Sequence, residues 1–405
     1  MAVRESIVDP APDTRRRISK LKIDGFRVFR DFGAELAGLE VIVGANGSGK
    51  SCLFGFLRFI RDSIGRSLPR EIILDAIGLE VFRRPGPDKI GWSISTTADG
   101  VTVPLIYEGE VFGPVGNPRI ADETVSAASP KDGPVFPQPP FLRATPGGVV
   151  IHEPGSQNPA TGNFPPTEPN SMLVLGWQLD SRFRTLASLR DYVRDWRFYN
   201  GFDIDTRQIR EPSTVGDVVL AENGANLASL LHHLALDHRD AFQQLKVHVA
   251  GVVPGFADMN VVTRRVKGKA TIEWFEHGSR DALTLADLSD GTLRFLCWAA
   301  LAMLPNPPPL VCIDEPELGL HPRALDTLVA LFQSMSTRTQ VLLAAHNSYF
   351  VSQFDLASIA VMRKRDGAPE FVKPGDSAAF VAALGDYGPD GVARMHASDE
   401  LERIP

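Results

Sequence analysis

Gly44-Ala45-Asn46-Gly47-Ser48-Gly49-Lys50-Ser51 is a complete G-x-x-x-x-G-K-S sequence. It follows Leu39-Glu40-Val41-Ile42-Val43, an apolar run that reads as a buried strand, and precedes residues 52–64, where Leu53, Phe54, Leu57, Ile60 and Ile64 recur at helical spacing. Strand, glycine loop and helix, in that order, is the context in which such a loop holds a polyphosphate. Glycines let the backbone close around the anion, and the helix N-terminus aims unpaired N–H groups and a partial positive charge at it. Gly44, Asn46, Gly47, Ser48 and Gly49 are therefore candidate phosphate binders, Lys50 adds a full charge, and Ser51 is placed to ligate Mg²⁺. Average residue usage makes a chance match in a chain of this length an event of about 1–2%.

A chain of 405 residues could hold two or three domains, or one nucleotide-binding fold with an insertion. Its net charge of −7 argues against a protein that coats nucleic acid through general positive charge. Cys52, Cys297 and Cys312 lie far apart in apolar elements, as expected of reduced, buried thiols. No stretch approaches the ~18–20 uninterrupted apolar residues of a membrane span. Arg15-Arg16-Arg17 is followed by no apolar signal region. These features predict a soluble cytoplasmic protein with no membrane partner.

Residues 1–17 read as a flexible N-terminus and 18–112 as the first part of a nucleotide-binding core. Ile18, Leu21 and Ile23, then Phe26, Val28, Phe29 and Phe32, suggest two short strands broken at Gly25. Residues 90–97 and 101–107 suggest a hairpin turned at Asp99-Gly100. Thirteen of the 31 prolines fall in 113–170, which reads as an irregular insertion. Residues 171–250 read as a helical section, with helices at 188–198 and 226–238. From 251 to 375 a hairpin around Lys267-Gly268 gives way to alternating helix and strand, the mark of a parallel sheet with helical cover. Residues 376–405 are a tail.

Leu310-Val311-Cys312-Ile313-Asp314-Glu315 is four apolar residues ending in two carboxylates. A buried strand delivers such side chains to a crevice at the carboxyl edge of a sheet. Asp314 would hold Mg²⁺, directly or through water, and Glu315 would take the proton from an attacking water. Upstream, Leu288-Ser289-Asp290-Gly291-Thr292 precedes an apolar helix. Ser289 reads either as a helix N-cap or, with Gly291, as a second phosphate receptor. The run at 340–345 ends in His346, whose imidazole could reach the γ-phosphate or the attacking water; read alone, a histidine is more often a satisfied core residue.

Four motifs thus stand in order: GANGSGKS, LSDGT, LVCIDEPELGLHP and LLAAHNS. Together they resemble the ABC-type ATPases, specifically the compact RecF/OLD/SMC-like branch whose small bacterial members are called predicted AAA ATPases. Leu21-Lys22-Ile23-Asp24-Gly25-Phe26-Arg27 resembles that branch's first strand, and Glu222-Asn223-Gly224-Ala225-Asn226-Leu227 a further segment. The resemblance covers most of 18–365. It implies an α/β, two-lobed P-loop ATPase with an antiparallel β part, a parallel core sheet with helical cover, and a helical or irregular insertion. It further implies a homodimer that sandwiches two ATP molecules. Lys50, Ser51, Asp314, Glu315 and His346 of one copy would face Ser289 and Gly291 of the other. Arg27 matches an arginine that approaches the nucleotide in related ATPases. Two features depart from the pattern: Gln138, Gln157, Gln178 and Gln208 include no assignable glutamine loop, and Asp290 stands where the commonest signature has glycine. No D-x-D follows Met362, so the Toprim nuclease of OLD-type relatives is not expected.

Two functions follow. One is an ATP-hydrolysing dimeric switch that acts on DNA or controls a separate nuclease or toxin effector, in DNA repair or anti-phage defence. The alternative is the ATP-binding subunit of a membrane transporter. Arg190, Arg194 and Arg197 beside Tyr192 and Trp196 would make a nucleic-acid face if exposed on one helix, but Asp191 and Asp195 favour a solvated face. Arg264, Arg265, Lys267 and Lys269 form a second basic cluster. His232, His233 and His238 lack metal-ligand spacing and read as helix-surface residues.

Overall fold

The computed structural model describes residues 16–64, 68, 81–97, 104–114, 119–128, 139–153, 160–162, 172–177, 183–202, 204, 207–264, 268–377, 380–381 and 391–397. In β1 (Arg17–Asp24) Ile18, Leu21 and Ile23 are buried, so one face of the strand is apolar and the other polar. β1 pairs antiparallel with β2 (Phe32–Glu35) and β4 (Lys89–Thr97). The sheet continues through β5 (Leu105–Phe112), β6 (Arg119–Ala127), β7 (Leu142–Thr145), β8 (Gly148–Ile151) and β9 (Ala160–Gly162), in the order β2-β1-β4-β5-β6-β7-β8-β9. The second of the two early strands lies later than Phe26 to Phe32 suggested, and the Asp99-Gly100 turn lies outside the described residues.

A second sheet places β3 (Leu39–Val43) between β15 (Gln340–Ala344) and β16 (Ile359–Arg365), with β14 (Leu310–Asp314) beyond β15. All four run parallel; β10 (Arg197–Tyr199) adds a parallel strand beside β14, and β17 (Ala368–Val372) an antiparallel one beside β16. The strand faces divide between two cores. Ile42, Leu310, Cys312, Leu342 and Ala344 face α1 (Lys50–Ser63) and the antiparallel sheet. Val41, Val43, Val311, Ile313, Val341 and Leu343 face the other core. That core is built from α4 (Leu227–Asp237), α5 (Arg239–Val252), α6 (Asp290–Ala302) and α7 (Pro322–Ser336). Coverage on both faces is why the central strands read as largely apolar runs rather than alternating ones. A small sheet, β11 (Ser213–Thr214), β13 (Lys269–Glu276) and β12 (Phe256–Arg264), closes the helical lobe.

One polar side chain joins the sheets. Gln340, fully buried, accepts from Ile18 N at 2.8 Å and donates to Ile18 O at 2.8 Å and to Ala37 O at 2.9 Å. It satisfies backbone groups that neither ladder reaches.

Two expectations are corrected. The stretch 113–170 is not irregular throughout: β6 to β9 extend the antiparallel sheet, each in a proline-free interval. Sequence alternation is hidden in β6 because its inward row, Ile120 and Val125, includes the fully buried Glu123. The helix expected over 188–198 is α2 (Arg184–Arg194), and Arg197 and Phe198 belong to β10. The section 171–250 therefore also supplies β10, an edge strand of the core sheet.

Glu123 receives hydrogen bonds from Tyr107 Oη at 3.0 Å, Val174 N at 2.5 Å and Leu175 N at 3.1 Å. It thereby anchors the 3₁₀ turn Val174–Gly176 to the sheet. Burial, opposed by these three donors, raises its carboxyl to about 7. The native state then holds the proton to higher pH than the unfolded chain, so stability falls as pH rises from about 4.5 through about 7. Wild type should lose about 1–3 kcal/mol relative to Glu123→Gln between pH 4.5 and 8, read as urea midpoints at the two ends of that range. Parallel pH profiles for the two proteins would contradict this.

Candidate functional site

β3 ends at the phosphate loop, whose glycines are demanded by different things. Gly44 has φ +147°, and a Cβ there would lie 2.0 Å from Met362 O, the backbone of the adjoining strand β16. Gly49 has φ +118° and is packed between Met362, Pro369 and Val28. Gly47 has φ +78° with nothing within 4 Å, so its side of the loop is open. Ala45, Asn46 and Gly47 form an exposed tip above buried Ser48, Gly49 and Lys50.

α1 starts at Lys50 with no side-chain cap and no acid in its first turn, which leaves its leading N–H groups for an anion. Lys50 Nζ folds across the loop and donates to Gly44 O at 2.6 Å and Ala45 O at 3.2 Å. Ser48 Oγ is buried without a hydrogen-bond partner among the described residues. A cradle of leading amides, a lysine folded across the loop and a buried hydroxyl fits a polyphosphate.

The parallel register brings the acids to this edge. Asp314, Ala344 and Ile42 are aligned across β14, β15 and β3, so whatever follows each strand emerges side by side. Ser51 Oγ donates to Asp314 Oδ2 at 2.9 Å, joining residues 263 positions apart. A hydroxyl and a carboxylate oxygen in contact are hard ligands of the kind Mg²⁺ takes, with waters completing the shell. Glu315 has φ +52°, and its N–H donates to Ala344 O at 2.8 Å, which leaves its partly exposed carboxylate near His346. His346 Nε2 lies 3.7 Å from Glu315 Oε1, beyond a hydrogen bond but adjacent.

Sequence reasoning overlooked Glu317, two residues on. Its Oε1 accepts from His346 N at 2.7 Å and Asn347 N at 2.9 Å. A third acid in the run Asp314-Glu315-Pro316-Glu317 was the available signal.

Ser289 and Gly291 stand apart from this cluster. Ser289 Oγ caps α6, accepting from Thr292 N at 3.2 Å. Asp290 pairs with Arg210 at 2.5 Å, and Arg210 also donates to Leu288 O at 2.8 Å. A Cβ on Gly291 would lie 3.0 Å from Gly319 O, and one on Gly319 would lie 2.3 Å from Arg294 Nη1. The turn is thus locked to the loop that follows the acids, and its partners do not include the phosphate loop of its own chain.

Arg27 lies on the flank of α1. Its Nη1 is 3.5 Å from the place of a Cβ on Gly55, its guanidinium is 5.4 Å from the Phe26 ring centre, and its Nε is buried without a hydrogen-bond partner among the described residues. It therefore stands beside the second turn of the helix and not on the loop. Gln208 is exposed on the short helix α3 (Arg207–Arg210), while Gln138, Gln157 and Gln178 lie outside the described residues.

The aromatic and basic face on α2 is not assembled: Tyr192 and Trp196 are buried edge-to-face at 5.6 Å, and Arg197 is on β10. In the second basic cluster, Arg265, Lys267 and the Arg264 side chain lie outside the described residues. His233 pairs with Asp237 at 2.8 Å and packs on the His238 ring. Among the described residues no group of three or more His, Cys, Asp or Glu could hold a metal, and no helix is long and apolar enough to cross a membrane. Cys297 and Cys312 are buried, whereas Cys52 is half-buried.

The profile of a family described as "AAA domain, putative AbiEii toxin, Type IV TA system" matches residues 130–352. The matched segment holds Ser289, Asp314, Glu315 and His346, and the phosphate loop precedes it. The solved SmcHead bound to the C-winged helix domain of ScpA is similar in fold, with a TM-score of 0.54 at 15% identity over 88% of this chain and 97% of that one. The Smc head domain with an extended coiled coil, bound to the C-terminal domain of ScpA derived from Pyrococcus furiosus, gives 0.53 at 13% identity over 91% and 100%. No curated protein matches the chain in sequence.

The loop geometry makes a graded prediction. Gly44→Ala must displace the backbone of β16 and should cost about 2–4 kcal/mol in urea unfolding, whereas Gly47→Ala bears only the left-handed strain of about 1–2 kcal/mol. Equal costs for the two would show that the close approach at Met362 is not real.

Proposed function

Because the chain belongs to the AAA-domain family whose profile it matches and has the fold of SMC heads, we propose that it hydrolyses ATP with Mg²⁺ as an ATP-dependent homodimeric switch of the RecF/OLD-like type. The observation that carries this reading is the Ser51–Asp314 contact beside Lys50, which unites the two halves of the site from opposite ends of the chain. Mg²⁺, when bound, supplies charge neutralisation for the phosphates. Lys50 exchanges its two carbonyl partners for phosphate oxygens, and the leading amides of α1 hold the rest of the anion. Glu315 accepts a proton from the attacking water, and His346 beside it orients that water or the γ-phosphate.

Ser289 and Gly291 complete the site of a second copy. Their support is positional: Ser289 and Asp290 are exposed, and the turn is braced from behind by Arg210 and Gly319. A braced, outward-facing helix N-terminus is suited to receive a γ-phosphate from outside its own chain. In this reading ATP joins two copies and hydrolysis releases them. The switch acts on DNA or on a separate nuclease or toxin effector in DNA repair or anti-phage defence; the family description, which names a toxin of a type IV toxin–antitoxin system, supports the effector side. Neither the family nor the solved relatives favour a transporter subunit.

Lys50→Ala should lower ATP turnover at least about 100-fold and weaken ATP binding, while Glu315→Gln should lower turnover similarly and keep binding. Light scattering should show Glu315→Gln as a dimer with saturating ATP and Mg²⁺; a monomer there would refute the shared site. Turnover measured while duplex or single-stranded DNA is titrated in separates the two targets. Stimulation that weakens with salt supports direct DNA contact, and no response supports a protein effector.

A further inference from the structure

We infer that Glu317 is a positioning residue for hydrolysis: it fixes the backbone of His346 so that the imidazole stays beside Glu315. This rests on the ATPase reading above and names the part that holds its water-activating pair in register.

The argument starts from the turn after β15. The ladder ends with Ala345, whose N–H donates to Ile42 O at 3.1 Å, and the next two amides have left the sheet. Both point at one acceptor, Glu317 Oε1, at 2.7 and 2.9 Å. Two successive N–H groups converging on one oxygen form a small anion nest, and a carboxylate fills it with charge-assisted bonds. The second oxygen, Oε2, is buried and has no hydrogen-bond partner among the described residues. A carboxylate that leaves one oxygen unpaired out of water is held by what the other oxygen does.

The connection back to Glu315 is equally short. Glu315 N–H donates to Ala344 O at 2.8 Å, so the acid loop is tied to β15 just before the turn, and Glu317 ties it again just after. Buried Pro316 separates the two ties and restricts the backbone between them. His346 is therefore bracketed, with its ring 3.7 Å from Glu315 as the outcome. Beyond the turn, Asn347 Oδ1 accepts from Phe350 N at 2.9 Å and caps α8 (Ser348–Ser352). The helix gives the turn its far anchor and Glu317 gives it the near one.

Among the described residues the hydrogen bonds of Glu317 go to amides 346 and 347 and not to the phosphate loop, so binding of ATP should be spared. Glu317→Ala is expected to lower kcat about 10–100-fold with KM for ATP changed less than about threefold. Glu317→Gln keeps an oxygen for the two amides and should recover kcat to within about threefold of wild type. Glu317→Asp keeps the charge but withdraws it by one methylene, and should resemble Glu317→Ala even if the alanine variant proves unstable. On a His346→Ala background, Glu317→Ala should add less than about twofold, because the residue acts through the histidine. Hydrogen exchange provides a readout that needs no turnover: amides 346 and 347 should lose protection in Glu317→Ala and retain it in Glu317→Gln.

Unchanged exchange at these amides in Glu317→Ala and Glu317→Asp, or losses that multiply fully with His346→Ala, would overturn the inference. Lost protection in a wild-type background that shows no ATP turnover would instead uphold the positioning and refute the ATPase reading.

Discussion

α1 is enclosed between two sheets, and the site depends on that enclosure. Leu53, Phe54, Phe56, Leu57, Phe59 and Ile60 bury apolar surface toward both the antiparallel sheet and one face of the core sheet. A fully buried aliphatic or aromatic side chain contributes about 1.5–3 kcal/mol, so the helix cannot shift without unpacking both neighbours. Its N-terminus is nevertheless bare, with no side-chain cap and no acid in its first turn. Packing along its flanks stabilises a helix whose leading amides are left free for an anion. Arg58 and Arg61 extend the restraint by donating to the carbonyls of Phe198 and Trp196, and Glu222 receives both Arg61 and Phe198 N. Glu222 thus ties edge strand β10 to the helix that follows the phosphate loop.

The second requirement is that three strands end together. Because β14, β15 and β3 are parallel neighbours in register, Asp314, His346 and the phosphate loop emerge at one edge although they are far apart in sequence. Gln340 secures the opposite end of β15 to β1, and buried Glu40 on β3 pairs with Lys373 at 3.0 Å. Burial raises the Glu40 carboxyl, while the Ala37 amide and Lys373 oppose that shift.

Much of this was legible beforehand, for identifiable reasons. The strands of the core sheet are covered on both faces, so residues 41–43, 310–313 and 341–345 appear as continuous apolar runs that give way to Gly44, Asp314 and His346. Gly44, Lys50, Ser51, Asp314, Glu315 and His346 each follow such a run, and their meeting follows from parallel pairing. Other parts were illegible because the signal was distributed. β6 carries a charged residue on its buried row, and Glu123 is tolerated there only because Tyr107, Val174 and Leu175 supply donors from elsewhere. β10 is three residues long and begins after only Asp195 and Trp196 beyond α2, so local periodicity extends the helix into it. Arg197 then appears to share a helical face with Arg190 and Arg194, which the tertiary structure denies.

The sequence by itself determined which residues are candidates for phosphate and metal chemistry, because those roles require fixed residue types at fixed spacing after a buried strand. Tertiary structure alone decided how they are held. Glu317 gains its place from amides 29 and 30 residues away, Asp290 from Arg210, and Gly291 from the carbonyl of Gly319. Such contacts join a side chain to backbone groups or to distant loops, and a backbone amide looks the same at every position of a sequence; only the folded path of the chain shows which one is left without a partner.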